Sequence, residues 1–474
     1  MTAQTILPAN SVVDSGFNVA NSVRMNAADS AKMTIDFSGA GNQKKFTISC
    51  WIKRGTITPD NSQTILSNYA DVNNFCNFTL NTGDKLSFVN RDGGTFNTNV
   101  ATTRLFRDPS AWYHVVLSVD TGQGTNTNRI KMYVNGVQET SFSTATYPSL
   151  DLDLEINTSG KTNSIGAFPT GHSFFDGSMS FINFIDGTQY AASDFGSTDS
   201  TTGQWQINTS PSVTYGTNGF FILKNGNSVT DQSGQSNNFT VTGGTLTDYK
   251  DCPDNVFATM NPLANYIGQW ALFENNNTYV RSAGTGESPI ASTLGIPATS
   301  GKFYTEVSYT SGGSESQIGL TPYSYPIDGT TQLGNPLYGY SYQQNGQSKN
   351  NNSASSYGDS YAPGDLIGIA VDATNSKLYF SKNGVWQNSG DPTSGATGTG
   401  AISISATPNT EGFYYIACCK EGGTTKNYYK WNFGNGYFGT TAVTSAGTAG
   451  STPGVFEYDV PSGYEPLSTK GLNA

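Results

Sequence analysis

Charge is scarce in this chain of 474 residues: Asp, Glu, Lys and Arg together make up 12%, and the formal net charge is -11. The shortage of basic residues argues against sequence-independent nucleic-acid binding, which needs a positive surface. Only two histidines occur, His114 and His172, and five cysteines: Cys50, Cys76, Cys252, Cys418 and Cys419. Two isolated histidines make neither a catalytic triad nor a metal site. An odd cysteine count without CxxC spacing reads as reduced thiols and not as a disulfide or zinc framework. No apolar run approaches the ~20 residues that cross a bilayer, and no segment sustains a helical period. Met1 to Ala20 holds neither a basic nor an apolar signal region. The expectation is therefore synthesis in a reducing cytoplasm with no signal peptide and no membrane insertion. Heptads, collagen-like glycine repeats and short-period β repeats are missing too, so the chain encodes no fibre shaft.

What it has is turn chemistry and rings. Glycine occurs 54 times, and aromatics make up 12%, with 26 Tyr and 26 Phe among dense Asn, Ser and Thr. Few charges, many aromatics and many turn formers describe an all-β surface protein. Two stretches share one plan. In the first, Ala111 to Asp120 is an apolar strand ending in Val-Asp, followed by a polar loop and the stretch from Arg129 to Val137, which contains Asn135-Gly136. In the second, Gly364 to Asp372 again ends in Val-Asp, followed by a shorter loop and the stretch from Lys377 to Trp386, which contains Asn383-Gly384. Tyr113, Val115, Leu117 and Val119 fall on one face of a strand, and Ile130, Met132 and Val134 on one face of the next. Asn-Gly supplies the two positive-φ residues of a type I′ turn, the strongest short-range hairpin signal. The repetition predicts two β-sandwich domains in tandem, each built round a central hairpin.

Along the chain, a polar arm over 1–22 precedes a first sandwich over 23–190. A connector over 191–262 carries short strands at Phe220–Leu223 and Asn238–Val241 and packs on that sandwich. A second sandwich is expected over 263–440, and a linker and tail over 441–474.

Several of these stretches resemble known families. Phe46–Arg54, Trp112–Asp120, Lys131–Gly136 and Phe175–Asp186 are similar to the strands of the laminin-G-like branch of the concanavalin-A-like jelly rolls. The wording FRDPSAWYHVV, FSTATYPS, FDGSMSFINFIDG and TYGTNGFFI resembles a group of large proteins encoded by marine bacteriophages, over roughly 20–262. From Gly301-Lys302-Phe303-Tyr304-Thr305-Glu306, through the second hairpin to Trp431-Asn432-Phe433-Gly434, the chain resembles a SPRY domain strand by strand to about Phe438. It departs by one extra residue before Glu306. The resemblance implies two concanavalin-A-like jelly-roll sandwiches in tandem. It also implies a virion location, other virion proteins as partners, and a trimer or a particle-symmetric array.

One stretch suggests catalysis. Asp151, Asp153 and Glu155 would share one face of a strand. That resembles the acidic strand of laminarinase-type glucanases, a retaining pair needing carboxyls ~5–5.5 Å apart, although Asp151 stands where that family has Glu. A solvated acidic loop is the competing reading, and fold analogy without a confirmed site is a weak warrant. Asp120 and Asp372 end strands, where capping the turn is the default role. No cofactor is expected; a calcium ion held by loop oxygens is conceivable from the laminin-G resemblance, but no EF-hand spacing is present. Binding is what remains. Tyr323, Tyr325, Tyr338, Tyr340, Tyr357 and Tyr361 sit among Asn, Ser and Gln, and Tyr offers flat amphipathic area at low entropy cost. Tyr338, Tyr340, Tyr357, Tyr361 and Trp386 are the expected ligand contacts, with packing between sheets as the competing use of each tyrosine. With the phage resemblance, the expectation is a non-enzymatic virion surface protein, a capsid or tail decoration or a fibre or appendage module, contacting host-surface glycan or protein, with a glycanase as the alternative.

Overall fold

The computed structural model describes residues 19–57, 59–264, 271–282, 289–313, 316–324, 331–420, 425–444 and 454–474. Among them every regular element is a strand or a single turn of 3-10 helix. One compact unit ends at Asp254 and the other begins at Asn255.

The first unit is a sandwich of two eight-stranded sheets. In one, the ten-residue strand Lys45–Arg54 lies between Trp112–Asp120 and Gly177–Asp186, antiparallel to both. The central hairpin is in the register its pattern predicts, with Val115 opposite Val134, Leu117 opposite Met132 and Val119 opposite Ile130. These six side chains are buried in one core with Phe46, Phe88 and Phe184. The second sheet runs from Phe142–Thr146 through Asn74–Leu80 to Lys32–Asp36 and Thr240–Gly243.

The second unit repeats the frame in sheets of nine and seven strands. Lys302–Ser311, again ten residues, lies between Leu366–Asp372 and Tyr428–Asn432. Ile369 faces Phe380, and Val371 faces Leu378. The likeness of the two hairpins reaches their atoms. The turn residues have φ of 47° and 81° at Asn135-Gly136, and 48° and 81° at Asn383-Gly384, both in the left-handed region that a type I′ turn demands. Asn135 donates its N–H to the His114 carbonyl (2.9 Å) and accepts the His114 N–H on Oδ1 (2.8 Å). Asn383 brackets Leu366 in the same way, at 2.7 and 2.8 Å. At the other end of each hairpin the Asp caps the turn. Asp120 accepts from Gly122 N–H and Asp372 from Asn375 N–H. Each is also paired with the lysine that opens the neighbouring long strand, Lys45 at 3.1 Å and Lys302 at 3.2 Å.

Each unit is closed by a returning segment. Phe220–Ile222 adds to Gly177–Asp186, and Thr247–Tyr249 adds to Ser22–Met25, so the expected connector supplies edge strands to the first sandwich. Asp251 ties its end down, buried against Lys53 and accepting from Trp112 Nε1 (2.8 Å). The expected exit at 262 lies inside the second unit instead, because Ala258 N–H bonds to the Leu467 carbonyl (2.9 Å) and Met260 bridges to Ser292. Of the expected N-terminal arm only 19–22 is described, and Ser22 already belongs to a strand. Residues 445–453 of the expected linker lie outside the described residues. Beyond them Glu465–Pro466 pairs in parallel with Lys302–Ser311, and Phe456, Val460 and Tyr464 are buried. In both units an aromatic ring of the returning segment covers the turn glycine. A Cβ on Gly136 would meet Trp205 at 2.4 Å, and one on Gly384 would meet Tyr458 at 2.7 Å.

Candidate functional site

Two of the sequence-derived site proposals change in three dimensions. Residues 151–155 form no strand. Asp151 sits at φ 57°, which breaks the extension, while Leu154 and Ile156 sink into the core. Alternation survives, since Asp151 and Asp153 stay exposed, but no neighbouring ladder holds the carboxyls. Asp153 reaches Lys44 at 3.9 Å, and the Glu155 N–H is taken by Asn90 Oδ1 (2.7 Å). Burial, then Asp92, pushes the Glu155 carboxyl up from its ordinary value. The stretch is the acidic loop of the competing reading.

The tyrosines divide. Tyr340, Tyr357 and Tyr361 are 6%, 6% and 2% exposed and belong to the second core, so they offer no contact surface. Their hydroxyls are used internally. Tyr340 Oη accepts from Ser405 N–H (3.1 Å), Tyr357 Oη accepts from Phe380 N–H (3.1 Å), and Tyr361 donates to the Ser316 carbonyl (3.0 Å). A tyrosine can fill a sandwich interior once its hydroxyl finds a backbone partner. Tyr338 is half-buried against that core. Trp386 is half-buried in a different cluster, 6.3 Å from Tyr304 and 6.5 Å from Tyr379 between ring centroids. Tyr323 is half-buried, and Tyr325 lies outside the described residues. The five expected contacts are thus not brought together on one surface.

No local pattern announces a cleft of about 370 Å³ in the first unit, within the ordinary size of ligand sites. Its wall comes from Thr56, Asp60, Asn61 and Gln63 on one side and His172, Ser173 and Asp176 on the other, with Ala27 from a third stretch. Asp176 opens the Gly177–Asp186 strand. Its backbone carbonyl accepts from Gly55 N–H (2.9 Å), and its carboxylate accepts from Ala27 N–H (3.4 Å) and Thr56 Oγ1. Gly177 follows at φ 151°, where a Cβ would strike the Lys53 carbonyl at 2.1 Å, so only glycine lets the strands approach here. Burial raises the Asp176 carboxyl, against the opposing pull of Thr56, Ala27, Arg24 and Arg54.

Behind Gln63 lies a buried charge network. Arg54 donates Nη1 to Asp84 (2.8 Å) and to the Phe106 carbonyl (2.6 Å), and Arg107 donates to the other Asp84 oxygen (2.7 Å). Arg54 Nε reaches Gln63 at 3.4 Å. On the opposite wall a short hairpin closes Phe168 on His172: Phe168 N–H donates to the His172 carbonyl and Gly171 N–H to the Phe168 carbonyl, both at 2.9 Å. Phe168 fixes it to the sheet edge-to-face, with Tyr69 at 5.1 Å and Phe75 at 5.2 Å. His172 stacks on Phe168 at 4.8 Å and bonds Ser173 through Nδ1 (2.9 Å). The result is a cleft whose carboxyl, amide and hydroxyl groups are positioned before any ligand arrives, an arrangement suited to a neutral, hydroxyl-rich molecule. Among the described residues no three His, Cys, Asp or Glu side chains are placed to hold a metal ion.

His114 is structural. It stacks between Trp51 (5.1 Å) and Trp205 (5.8 Å), accepts Trp205 Nε1–H on Nδ1 (3.0 Å) and so carries its proton on Nε2, toward Ser49 (2.9 Å). Burial lowers its pKa to about 3. All five cysteines are buried, and burial pushes the Cys76 thiol up to about 12.

Comparison with known proteins finds a match within each sandwich. Residues 27–191 match the Concanavalin A-like lectin/glucanases superfamily, in its laminin G form, and residues 302–436 match the SPRY domain. The chain is 31% identical over 129 residues to the dual specificity protein kinase splA of Dictyostelium discoideum, covering 25% of this chain and 5% of that protein. It is 28% identical over 127 residues to Ran-binding protein 9 of Danio rerio, covering 25% of this chain and 21% of that protein. The chain therefore spans a twentieth to a fifth of these relatives. Domains LG4-5 of the mouse laminin alpha1 chain align over 94% of this chain and 89% of theirs, at 12% identity and a TM-score of 0.29.

Proposed function

We propose that the protein is a non-enzymatic surface component of a bacteriophage particle, a capsid or tail decoration or an appendage module, which contacts glycan or protein on the host surface. The observation that carries the binding part is the Asp176 cleft: preorganised, lined with hydroxyl-matching groups, and built on the loops that flank the paired strands Lys45–Arg54 and Gly177–Asp186. Both sandwich types are ones that typically mediate binding, and one matched relative is named as a Ran-binding protein. The phage part rests on the peptide wording quoted above. Partners within the particle and a trimer or symmetric array belong to the same reading. The glycan-cleaving alternative loses the geometric footing it had, since 151–155 is not a strand.

Two measurements test it. Immunogold labelling of intact particles is expected to mark head or tail; labelling of neither removes the virion role. Glycan-array and host-surface binding are expected with the intact chain, and Asp176→Asn should weaken binding about tenfold while leaving the fold intact, as loss of one charge-assisted contact does. Undiminished binding by that variant removes the cleft from the reading.

A further inference from the structure

A second cleft in the first unit, about 440 Å³, has the opposite electrical character. Its wall includes Phe181, Thr209, Lys224, Asn225, Ser228 and Thr230, and contains neither Asp nor Glu. The Lys224 ammonium lies 5.6 Å above the Phe221 ring. Among the described residues it has no carboxylate within ion-pair distance. In a chain of net charge -11 an unpaired cation beside an acid-free wall is a place prepared for an anion. The Asp176 cleft, by contrast, is walled by Asp60 and Asp176 with no Lys or Arg.

Backbone geometry singles out the same place. Phe181 has φ 51° and Leu223 has φ 53°, and the Phe181 N–H donates to the Leu223 carbonyl (2.9 Å). For bulky side chains this region is an outlier, and such strain gathers at binding sites. Phe181 also occupies a bulge between Ser180 and Asn183, the kind of irregularity that re-aims a side chain. The rim is locked. Leu223 N–H bonds to the Ser228 carbonyl (3.0 Å), Asn227 Nδ2 to the Leu246 carbonyl (2.9 Å), and Gln232 N–H to the Phe221 carbonyl (2.7 Å). Asn225 Oδ1 is occupied by the Ala20 and Asn21 amides. Its Nδ2 and the hydroxyls of Thr209 and Thr230 have no hydrogen-bond partner among the described residues.

We infer that this cleft takes a carboxylate-bearing pyranose, a sugar of the uronic- or sialic-acid type. Lys224 pairs with the carboxylate, and the hydroxyls and the Asn225 amide meet the ring hydroxyls, while Phe181, buried under the cleft, sets its floor. The inference rests on the glycan-binding reading and names its acidic arm.

Calorimetric titration of the full chain decides it, with trigalacturonic acid and 3′-sialyllactose as probes, and galactotriose and lactose as their neutral counterparts. The acidic sugars are expected to bind about tenfold or more tightly than the neutral ones, and the margin should shrink as salt is raised. Lys224→Gln should abolish the margin, Lys224→Arg should keep most of it, and neither should move the melting temperature, since the side chain is half exposed. Equal binding of acidic and neutral sugars, or an acidic preference that survives Lys224→Gln, overturns the inference. If neutral glycans bind and are lost in Asp176→Asn while acidic ones never bind, this inference fails and the general reading stands. If no glycan binds at either cleft, both fail.

Discussion

In the first unit the chain that follows the closing strand comes back over Asn135-Gly136 with Trp205, whereas in the second the C-terminal segment comes back over Asn383-Gly384 with Tyr458. The steric task is the same, but the polar groups that hold the returning segment are not. Trp205 is held by a neutral imidazole, His114, buried between two indoles. The second segment is held by a carboxyl, Glu306, which accepts the amides of Glu457 (2.8 Å) and Tyr458 (2.9 Å) with Tyr304 Oη alongside (3.1 Å). Burial lifts Glu306 to about 7, although those hydrogen bonds pull it down. The interiors differ as well. The first core is aliphatic and Phe-lined with ion pairs buried beside it, while the second is filled by tyrosines. One scaffold therefore tolerates two interior chemistries, provided every polar group that goes inside brings its partner.

That contrast predicts opposite responses to acid. For His114 the folded pKa of about 3 lies below the ordinary 6.5, so the unfolded chain takes the proton first. The stability due to the neutral ring is complete above pH 6.5 and is lost as pH falls toward 3, a swing of about 5 kcal/mol. Calorimetric scans of wild type and His114→Gln should show their first-unit transitions converging over that window; parallel curves sink the assignment.

Next in size, Asp84→Ala leaves Arg54 buried without its carboxylate and should cost the first unit about 3–5 kcal/mol. The second-unit transition should stay where it is, and a shared shift would mean that the two units unfold as one.

Glu306 runs the other way. Its folded pKa of about 7 lies above the ordinary 4.5, so its contribution is whole below pH 4.5 and lost as pH rises through 7, about 3 kcal/mol in all. Glu306→Gln should flatten that slope in the second unit, and retention of the slope in the variant would count against Glu306 as its source.

The smallest effect belongs to Tyr361→Phe, which removes a buried hydroxyl in contact with the Ser316 carbonyl, Ser316 Oγ and the Tyr342 carbonyl and should cost about 1 kcal/mol in the second unit alone. A loss several times larger, read from denaturant midpoints, would show the tyrosine network to be cooperative.

The hairpins were legible because two periods and two turn residues specify them. Val115, Leu117 and Val119 alternate, and Asn-Gly permits the one turn that keeps their register. Val-Asp endings pointed to capped turns for the same local reason. The clefts were not legible, because Asn61 and Asp176, or Phe181 and Lys224, meet only through sheet pairing and mean nothing as neighbours in a string. The tyrosines misled for a different reason. Tyr340, Tyr357 and Tyr361 stand among polar residues, and a ring with a hydroxyl suits a loop or a core equally until its hydrogen-bond partner is known.

Period, turn chemistry and the scarcity of charge determined an all-β chain with two sandwiches on one hairpin plan, because each of those signals acts over a few residues. Tertiary structure alone decided which rings face inward, where Asp151 breaks its strand, and which distant side chains enclose a cleft. Those outcomes depend on how edge strands and returning segments seat themselves on a finished sheet. No local pattern encodes that seating.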